Sequence, residues 1–459
     1  MKYQIAIVGA GPGGYVAAIR AAQLGAKVAV IEQDALGGTC LNRGCIPTKA
    51  LLAGASIIET IKKAGSFGIE VQEYRIDYGR LVARKDTVVR QLRQGIGYLF
   101  KKNKVDLFPG KGRLVSPRRI AVTSPSGEVQ EIEAENIIIA TGSEPALLPG
   151  LGYNGRTVVT STEALAWDTL PDSIIIIGGG VIGCEFATLF NTLGVKVTIV
   201  ELLPTILPMV DGELSRRYQM LLKKAGVEVK TQAQVTAVEE EGEKVKVTLS
   251  GGETLTADKV LISIGRKFNT GELGLEDLRV NLGSKGEIMV DDYLRTNVEG
   301  VYAIGDVTGR MQLAHVASAQ GIAAVQTILG RPIKVNYDAV PSCIFTSPEI
   351  ATVGLTQEEA EKRGFKVKVG KFAFLASGKA QAMGETDGFV KIVADASDDR
   401  VLGVHIMGPH ATELIAEATL AVDQGIKAKE LAACIHAHPT LAEAIMEAAE
   451  AVHGLSIHS

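Results

Sequence analysis

The sequence predicts an α/β protein in which one βαβ pattern occurs twice and an α+β domain follows. Apolar runs followed by glycine-rich turns begin near residue 4 and again near residue 173, and each copy closes with a second apolar run. After residue 338, short β-rich segments precede alanine-rich helical segments. Because 46% of the 459 residues are hydrophobic, the chain can bury large cores, and a disordered chain is excluded.

The first copy of the pattern spans residues 4–32. An apolar run over 5–8 precedes Gly9, Gly11 and Gly14, and a second run over 26–31 ends at Glu32. The first glycine allows a tight turn, the second lets the backbone approach a pyrophosphate, and the third lets the helix pack on the strand. The helix N-terminus faces the anion, and the acid accepts hydrogen bonds from ribose hydroxyls.

The second copy spans residues 173–201. Gly178, Gly180 and Gly183 follow the run 174–177, and the run 195–200 ends at Glu201. In both copies the first glycine and the acid are 23 positions apart. One G-x-G-x-x-G is weak evidence, but two copies inside βαβ units are strong evidence. The sequence therefore predicts two Rossmann-like domains and two bound dinucleotides.

The C-terminal part predicts strands and helices in an α+β arrangement. The predicted strands cover 365–369, 389–393 and 401–406, and the predicted helices cover 411–425, 428–434 and a segment from near Pro439 to about His453. Between these parts, residues 311–330 contain no Asp, Glu, Lys or Arg but several other polar residues. We expect a buried helix there rather than a membrane span.

Composition limits the class of partner and the compartment. With 48 basic and 52 acidic residues, the net charge is −4, and we expect no basic cluster, no nucleic-acid partner and no membrane-surface partner. The N-terminus leads directly into a strand, so no signal or transit peptide is expected. Five cysteines are an odd number and too few for a secreted disulfide scaffold. A cytoplasmic protein is predicted.

Two cysteines, Cys40 and Cys45, follow the first acid closely. In a regular helix, residues five apart have Cα atoms about 8–9 Å apart, beyond the disulfide limit of about 7 Å. The segment must therefore be distorted to form a bridge, and Gly38 and Gly44 allow this distortion. A redox pair is favoured, while two buried hydrophobic cysteines remain the alternative. No metal is predicted, because no second Cys/His pair has zinc-ligand spacing.

A redox cysteine pair beside a dinucleotide fold needs a carrier between hydride transfer and thiol chemistry. Nicotinamides exchange hydride, whereas disulfides react by thiolate attack, so a flavin is the natural intermediary. We therefore predict FAD at the first glycine motif and a nicotinamide cofactor at the second.

Several specific motifs now identify a family. They are Gly37–Lys49, Ala140–Ser143, Gly265–Arg266, Ala303–Asp306, and His436–Thr440 followed by Glu443. Along essentially its full length the chain resembles the flavin-dependent pyridine nucleotide–disulfide oxidoreductases of class I, and within them the dihydrolipoyl dehydrogenases. The resemblance implies an FAD domain over 1–143 and 266–337, an NAD domain over 144–265, and an interface domain for dimerisation over 338–459.

The resemblance also implies roles for individual residues. Cys40 would be the interchange thiol, and Cys45 would be the thiolate against the flavin. Lys49 would lie near the reactive edge of the flavin. His438 would be the general base, since imidazole titrates near neutral pH, and Glu443 would orient it. In the family this histidine reaches the cysteines of the partner subunit, so an obligate homodimer is implied.

The cofactor contacts follow in the same way. For FAD the resemblance implies Gly9, Gly11, Gly14, Glu32, Lys49, Gly112, Thr141, Gly142, Ser143, Asp306, Gln312, Leu313, Ala314 and His315. For the nicotinamide cofactor it implies Gly178, Gly180, Gly183, Glu185, Glu201, Val235 and Gly265. Glu201 favours NAD over NADP, because a carboxylate repels a 2′-phosphate.

The remaining histidines and cysteines are predicted to be structural. The family pattern favours His438 over His436, and His405, His410, His453 and His458 have no functional context. Cys184, Cys343 and Cys434 are expected to be small buried residues. Two departures from the family pattern stand out: Arg43 lies between the redox cysteines, where relatives often have a small apolar residue, and Met311-Gln312 replaces a more usual Pro-Met pair.

The implied activity is oxidation of protein-bound dihydrolipoamide with reduction of NAD⁺. The implied partners are the lipoyl domains and acyltransferase core of a 2-oxo acid dehydrogenase, acetoin or glycine cleavage complex. One alternative is an NAD(P)H-dependent reductase of glutathione or coenzyme A disulfide. Glu201 and the segment Ile46–Lys49 oppose this alternative. Another alternative is a mainly structural subunit, which the intact catalytic residues oppose.

Overall fold

The computed structural model describes residues 2–458, and its first part is a nucleotide-binding domain. Its strands are β1 (Lys2–Val8), β2 (Val28–Glu32), β3 (Asp106–Pro109), β4 (Lys111–Ser116), β5 (Arg119–Thr123), β6 (Val129–Ile139) and β7 (Ser143–Pro145). Its helices are α1 (Pro12–Gln23), α2 (Gly38–Arg43), α3 (Cys45–Lys63) and α4 (Tyr78–Lys102), and a 3₁₀ helix covers Ala64–Phe67. Strands β3, β2, β1 and β6 form a parallel sheet, to which β5 and β4 add an antiparallel extension.

The centre of this sheet is apolar because helices α1 and α4 pack on one face, while β4 and β5 pack on the other. Ile5, Ala6 and Ile7 of β1 are completely buried, as is typical of a strand inside a parallel sheet. The predicted strands over 4–8 and 26–31 are confirmed within two residues at each end. The glycine turn therefore lies at the carboxyl edge of β1, where α/β folds bind their ligands.

The second domain repeats this arrangement. Its strands are β8 (Val158–Val159), β9 (Ser173–Ile177), β10 (Lys196–Val200), β11 (Glu228–Lys230), β12 (Val235–Glu241), β13 (Lys244–Leu249), β14 (Thr254–Ala257) and β15 (Lys259–Ile262). Its helices are α5 (Ser161–Ala164), α6 (Val181–Thr192) and α7 (Gly212–Lys224). Five strands form a parallel sheet in the order β11-β10-β9-β15-β8, and β12, β13 and β14 form an antiparallel sheet beside it.

The chain then returns to the first domain. Strand β16 (Arg266–Phe268) pairs with β7, and β17 (Val301–Ala303) adds to the first parallel sheet beside β6. A 3₁₀ helix (Gly305–Thr308) leads towards α8 (Ala314–Ile328), which packs on α1. This helix lies within the segment 311–330, which has no charged residues, and its buried residues confirm the prediction of a buried helix.

The C-terminal domain is an α+β unit, as predicted. Its strands are β18 (Ser342–Ile344), β19 (Glu349–Gly354), β20 (Val367–Ala373), β21 (Phe389–Asp395) and β22 (Val401–Gly408), and they form an antiparallel sheet in the order β18-β19-β22-β21-β20. Its helices are α9 (Gln357–Lys362), α10 (Gly378–Met383), α11 (Ala411–Asp423), α12 (Ala428–Ala433) and α13 (Glu443–Ala451), with a 3₁₀ helix at Phe374–Ala376. Helices α11 and α13 pack on the sheet.

Two sequence-based expectations are wrong at this level. The last helix begins at Glu443 rather than near Pro439, because the Thr440 amide donates to the Glu443 carboxylate and the intervening residues form a turn. The expectation that the chain has no basic cluster also fails, since α4 has seven basic residues and one acidic residue. Among residues 2–458, no helix is both long and apolar enough to cross a membrane.

Candidate active site

The first glycine turn has the geometry that a dinucleotide requires. Gly9 has φ +103°, and a Cβ there would overlap the carbonyl of Ala140 at the end of β6. A Cβ at Gly14 would overlap the carbonyl of Gly9, so helix and strand lie too close for any side chain. Gly11 is open by contrast, because a Cβ there would meet nothing nearer than the Cα of Gly38 at 3.9 Å. The turn therefore leaves space only where a pyrophosphate would approach.

The second glycine turn repeats the first one. Gly178 has φ +106°, and a Cβ there would overlap the carbonyl of Ser263. A Cβ at Gly183 would overlap the carbonyl of Gly178, while one at Gly180 would meet no atom within 4 Å. Both sites therefore fit a dinucleotide in the same way.

The two acids hold their glycine turns by the same contacts. Glu32 accepts a hydrogen bond from the Ala10 amide at 2.7 Å, and Glu201 accepts one from the Gly179 amide at 2.6 Å. The second oxygen of each carboxylate accepts from the amide two residues further on, at 2.8 Å and 2.7 Å. Burial raises the pKa of Glu32, although the amides of Ala10 and Gln33 act in the opposite direction. Each oxygen has a further lone pair with which it can accept a ribose hydroxyl.

The redox cysteines lie where two helices meet. Cys40 is in α2, Cys45 begins α3, and Gly44 between them has φ −142° and ψ −115°. A Cβ on Gly44 would lie 3.0 Å from the Thr39 carbonyl and 3.2 Å from the Cα of Cys40. The predicted helix distortion is therefore confirmed, and glycine is the residue that permits the close approach.

The two thiols have opposite acidities. Both are free in this structure. The pKa of Cys45 is lowered to about 7, mainly because it accepts a hydrogen bond from Cys40 and also because the Lys49 ammonium is near. The pKa of Cys40 is raised, because its thiol donates that hydrogen bond and because it is buried. When the reduced pair loses one proton, the negative charge therefore lies on Cys45.

All three domains meet at Lys49. Its ammonium lies 2.8 Å from both carboxylate oxygens of Glu185 on α6. Glu185 also accepts a hydrogen bond from the amide of Phe345 at 3.0 Å, and the ammonium lies 4.5 Å from the centre of that ring. The sequence analysis predicts that Lys49 contacts FAD and that Glu185 contacts the nicotinamide cofactor. In the structure the two residues form one ion pair beside the cysteines.

A second polar group lies where β7 and β16 connect the nucleotide domains. Arg266 donates to the side chain of Ser143 at 2.7 Å and to its carbonyl at 2.6 Å. The Ser143 hydroxyl in turn donates to Asp306, whose carboxylate is 3.7 Å from the guanidinium. Thr141 and Asn269 exchange hydrogen bonds through their side chains and carbonyls. Ser143, Asp306 and Thr141 were predicted FAD contacts, whereas sequence reasoning gave no role to Arg266 or Asn269.

The other residues that are predicted to contact the cofactors lie in different parts of the fold. Gly112 is buried in β4, and a Cβ there would lie 3.1 Å from Val8. Leu313 precedes α8, Ala314 begins it, and the ring of His315 contacts the Pro341 carbonyl at 2.9 Å. The exposed residue Gln312 lies just before that helix, Val235 begins β12, and Gly265 has φ +129° with open space around it. These contacts stay predictions.

The candidate base lies in the turn before α13. Nδ1 of His438 is 2.9 Å from Glu443, whose other carboxylate oxygen accepts from the Thr440 amide at 2.8 Å. Although burial acts to raise it, the Thr440 amide and the imidazole lower the pKa of Glu443. The His438 side chain is 80% exposed, and no hydrogen bond joins it to a cysteine within residues 2–458. Within one subunit the candidate base is therefore not hydrogen-bonded to the redox pair.

The neighbouring histidine has a different environment. The ring of His436 is 7% exposed and lies between the Glu417 carboxylate at 2.8 Å and the Cys434 carbonyl at 2.9 Å. This agrees with the preference for His438 as the base. His405 is buried against the Leu355 carbonyl, so it is structural as predicted.

The three cysteines outside the redox pair differ in their exposure, and Arg43, which departs from the family pattern, lies at the surface. Cys184 is fully buried as predicted, and Cys343 is half-buried. The expectation of burial is wrong for Cys434, which follows α12 and is exposed in this chain. Arg43 forms an exposed ion pair with Asp34, so its charge is partly compensated. Residues 2–458 contain no group of three or more His, Cys, Asp or Glu side chains that could hold a metal ion.

Two dinucleotide turns and a polarised thiol pair define a nicotinamide-linked disulfide oxidoreductase. The family model for pyridine nucleotide-disulphide oxidoreductases matches residues 3–321, and the model for the dimerisation domain of these enzymes matches residues 340–449. The chain belongs to the pyridine nucleotide-disulphide oxidoreductase family, and FAD and NAD(H) are its cofactors.

Individual relatives cover the whole chain. It is 46% identical to dihydrolipoyl dehydrogenase of Bacillus subtilis over 471 residues, covering 100% of this chain and 99% of that protein. It is 46% identical to dihydrolipoyl dehydrogenase of Chlamydia muridarum over 449 residues, covering 97% and 96%. Among solved structures, LpdA from Mycobacterium tuberculosis has a TM-score of 0.93 and 32% identity, covering 97% of this chain and 99% of that one.

Proposed function

We propose that the protein is a dihydrolipoyl dehydrogenase, which oxidises dihydrolipoamide and reduces NAD⁺. The observation that carries this proposal is the polarised pair of Cys40 and Cys45 beside Lys49, in a chain similar over its full length to enzymes of that name. A dithiol substrate reacts with such a pair when the pair is a disulfide.

The thiol chemistry balances over two exchanges. A substrate thiolate attacks Cys40 of the Cys40–Cys45 disulfide, forms a mixed disulfide and releases Cys45 as a thiolate. The low pKa of Cys45 makes it the better leaving group. The second substrate thiolate then attacks its own mixed disulfide, closes the lipoyl ring and releases Cys40, which takes up a proton because its pKa is raised. The substrate loses two electrons and two protons.

His438 supplies the base for these exchanges. A thiol of pKa about 8.5 passes its proton readily to an imidazole, and Glu443 fixes the tautomer by accepting from Nδ1–H. One substrate proton ends on Cys40, and the other leaves through the imidazole to solvent. Since His438 is exposed and unconnected to its own cysteines, we propose that it serves the redox pair of a partner subunit in a homodimer.

The cofactors occupy the two glycine turns in this account. Gly11, Glu32, Ser143 and Asp306 would hold FAD, and Gly180 and Glu201 would hold NAD⁺. Bound FAD supplies a two-electron acceptor next to Cys45, and bound NAD⁺ supplies the final hydride acceptor. Lys49 contributes a fixed positive charge beside the Cys45 thiolate, and Glu185 holds that ammonium in position.

The cellular setting completes the proposal. We propose a cytoplasmic homodimer that acts on the lipoyl domains of a 2-oxo acid dehydrogenase, acetoin or glycine cleavage complex. We further propose an FAD domain over 1–143 and 266–337, an NAD domain over 144–265 and an interface domain over 338–459. The FAD domain is then built from two separate segments. The pairing of β7 with β16, where the chain leaves and re-enters that domain, supports the discontinuity.

The activity is tested by anaerobic reduction of the purified flavoprotein. We expect rapid NADH formation with dihydrolipoamide and NAD⁺, and no oxidation of NADPH when glutathione disulfide and NADPH are the substrates. A long-wavelength thiolate–flavin band should appear in the wild type and in Cys434→Ser, a control at an exposed cysteine, but not in Cys45→Ser. Turnover only with NADPH and another disulfide would contradict both the substrate and the role of Glu201.

A further inference from the structure

Helix α4 presents a positive surface to solvent along its length. Val82, Ile96 and Phe100 are buried on its inner side. Its solvent-exposed residues include six basic ones, which we call the basic face: Arg80, Arg84, Arg90, Arg93, Lys101 and Lys102. Arg80 and Arg84 are four residues apart and Arg90 and Arg93 are three apart, so the two charges of each pair lie close together on the helix surface.

These six charges have no internal counterions. None of them lies within 4 Å of a carboxylate in residues 2–458, although Arg90 contacts the Thr87 hydroxyl. Elsewhere in the same chain, lysines such as Lys49 and Lys391 pair with buried carboxylates. Like charges on one helix repel, so an acidic partner surface would stabilise the basic face when bound.

The basic face ends near the redox segment, because α4 contacts α2, the helix that contains Cys40. Ile96 and Phe100 pack in one apolar cluster with Leu41, the residue after Cys40. Tyr98 is 65% exposed at this end of α4 and offers an aromatic contact beside the lysines. Helix α4 also lies outside residues 340–449, the region that matches the dimerisation domain. A domain that docked on this end of α4 would therefore lie close to the helix that contains Cys40.

We propose that the basic face of α4 is the docking surface for the acidic protein domain that carries the dithiol substrate. This inference rests on the proposed function, because it needs a dithiol attached to a domain. A small domain fits better than a nucleic acid or an anionic membrane. The chain as a whole has a net charge of −4, so acidic residues predominate outside α4 and would repel a polyanion that spread beyond one helix.

The test uses matched charge reversals at two helix ends. Lys101→Glu/Lys102→Glu changes the last two residues of α4, and Lys223→Glu/Lys224→Glu changes the last two residues of α7. Both pairs are exposed and free of salt bridges within residues 2–458, so the two variants alter net charge and helix-end electrostatics equally. The substrates are an isolated acidic dihydrolipoyl domain and free dihydrolipoamide, each with NAD⁺.

We expect kcat/KM for the domain to fall about tenfold at low salt in the α4 variant, through KM, and to stay near wild type in the α7 variant. The loss should nearly vanish at about 1 M salt, where the Debye length is about 3 Å. Free dihydrolipoamide should be oxidised at the wild-type rate by both variants.

Several results would overturn the docking surface. Equal losses in both variants would assign the effect to net charge, and an equal loss with free dihydrolipoamide would assign it to the cysteine site. Binding of duplex DNA or anionic vesicles that only the α4 variant loses, with domain turnover unchanged, would indicate another class of partner. If the wild type failed to oxidise free dihydrolipoamide, the proposed function itself would fail, and the docking inference would fall with it.

Discussion

The two glycine turns have the same geometry, but the segments that follow them have different chemistry. Gly9 and Gly178 adopt nearly equal φ angles, and Glu32 and Glu201 accept matching amide hydrogen bonds. After Glu32 the chain enters the cysteine segment, whereas after Glu201 it enters an apolar loop in which Leu202, Leu203 and Met209 are exposed. The dinucleotide scaffold is therefore shared, and the redox function depends on one short segment of the first copy.

The largest expected effect is a loss of turnover, caused by a change in the cysteine segment that leaves the dinucleotide-binding scaffold intact. Cys40→Ser should lower dihydrolipoamide–NAD⁺ turnover by about 10⁴-fold or more, because no sulfur remains to accept the substrate thiolate. Flavin content and NADH affinity should stay near wild type, since the cysteine lies outside both glycine turns. Steady-state kinetics and flavin absorbance measure the two quantities. Loss of flavin together with activity would contradict the separation.

The second-largest effect is expected at His438, which lies outside both copies of the βαβ pattern. His438→Gln should lower turnover by about 10²–10⁴-fold, because the substrate thiol loses its base. Glu443→Gln should have a smaller effect in the same direction, since it disturbs only the orientation of the ring. The buried neighbour His436 provides the control: a His436→Gln variant that lost as much activity and kept its stability would show that the base has been assigned to the wrong histidine.

A matched pair of variants examines the equivalence of the two turns. Gly14→Ala should remove flavin from the purified protein, and Gly183→Ala should weaken NADH binding by about tenfold or more. In each case the new methyl group overlaps the carbonyl of the first glycine in the motif. Flavin absorbance and NADH titration report the two sites separately. If either variant affected both sites equally, the two turns would not be independent.

A smaller effect is expected at the second acid. Glu201→Gln should weaken NADH binding about fivefold, because one charged acceptor becomes a neutral amide beside the ribose site. The preference for NADH over NADPH should narrow, since the carboxylate that repels a 2′-phosphate is gone. Competitive titration with both nucleotides measures this preference. An unchanged preference would show that Glu201 does not choose the nucleotide.

The smallest effect concerns pH. Because the folded pKa of Cys45 is lowered to about 7, its thiolate is present above that pH and is lost as the pH falls through it. Lys49→Met should move the midpoint upward by about one unit, because a nearby positive charge has been removed. The pH dependence of the thiolate–flavin band in the two-electron-reduced protein measures the midpoint. A downward shift would contradict the role of the lysine.

Local features were predictable from sequence, whereas contacts between distant segments were not. The glycine turns, the helix break at Gly44 and the four Rossmann strands followed from spacing and residue type. The ion pair between Lys49 and Glu185 joins residues 136 positions apart, and no pattern in one sequence indicates it. Cys434 was wrongly expected to be buried because burial depends on tertiary packing. The basic face of α4 was missed because net charge was considered for the whole chain.

The central claim is that one active site takes its cysteines from one subunit and its base from the other. Mixing Cys40→Ser and His438→Gln subunits after dissociation tests it directly, because each variant alone is inactive. If the site is shared, half of the randomly re-formed dimers contain one intact site, and activity should return to about a quarter of wild type. If no activity returns while dimers re-form with flavin bound, cysteines and base act within one subunit, and the account is wrong.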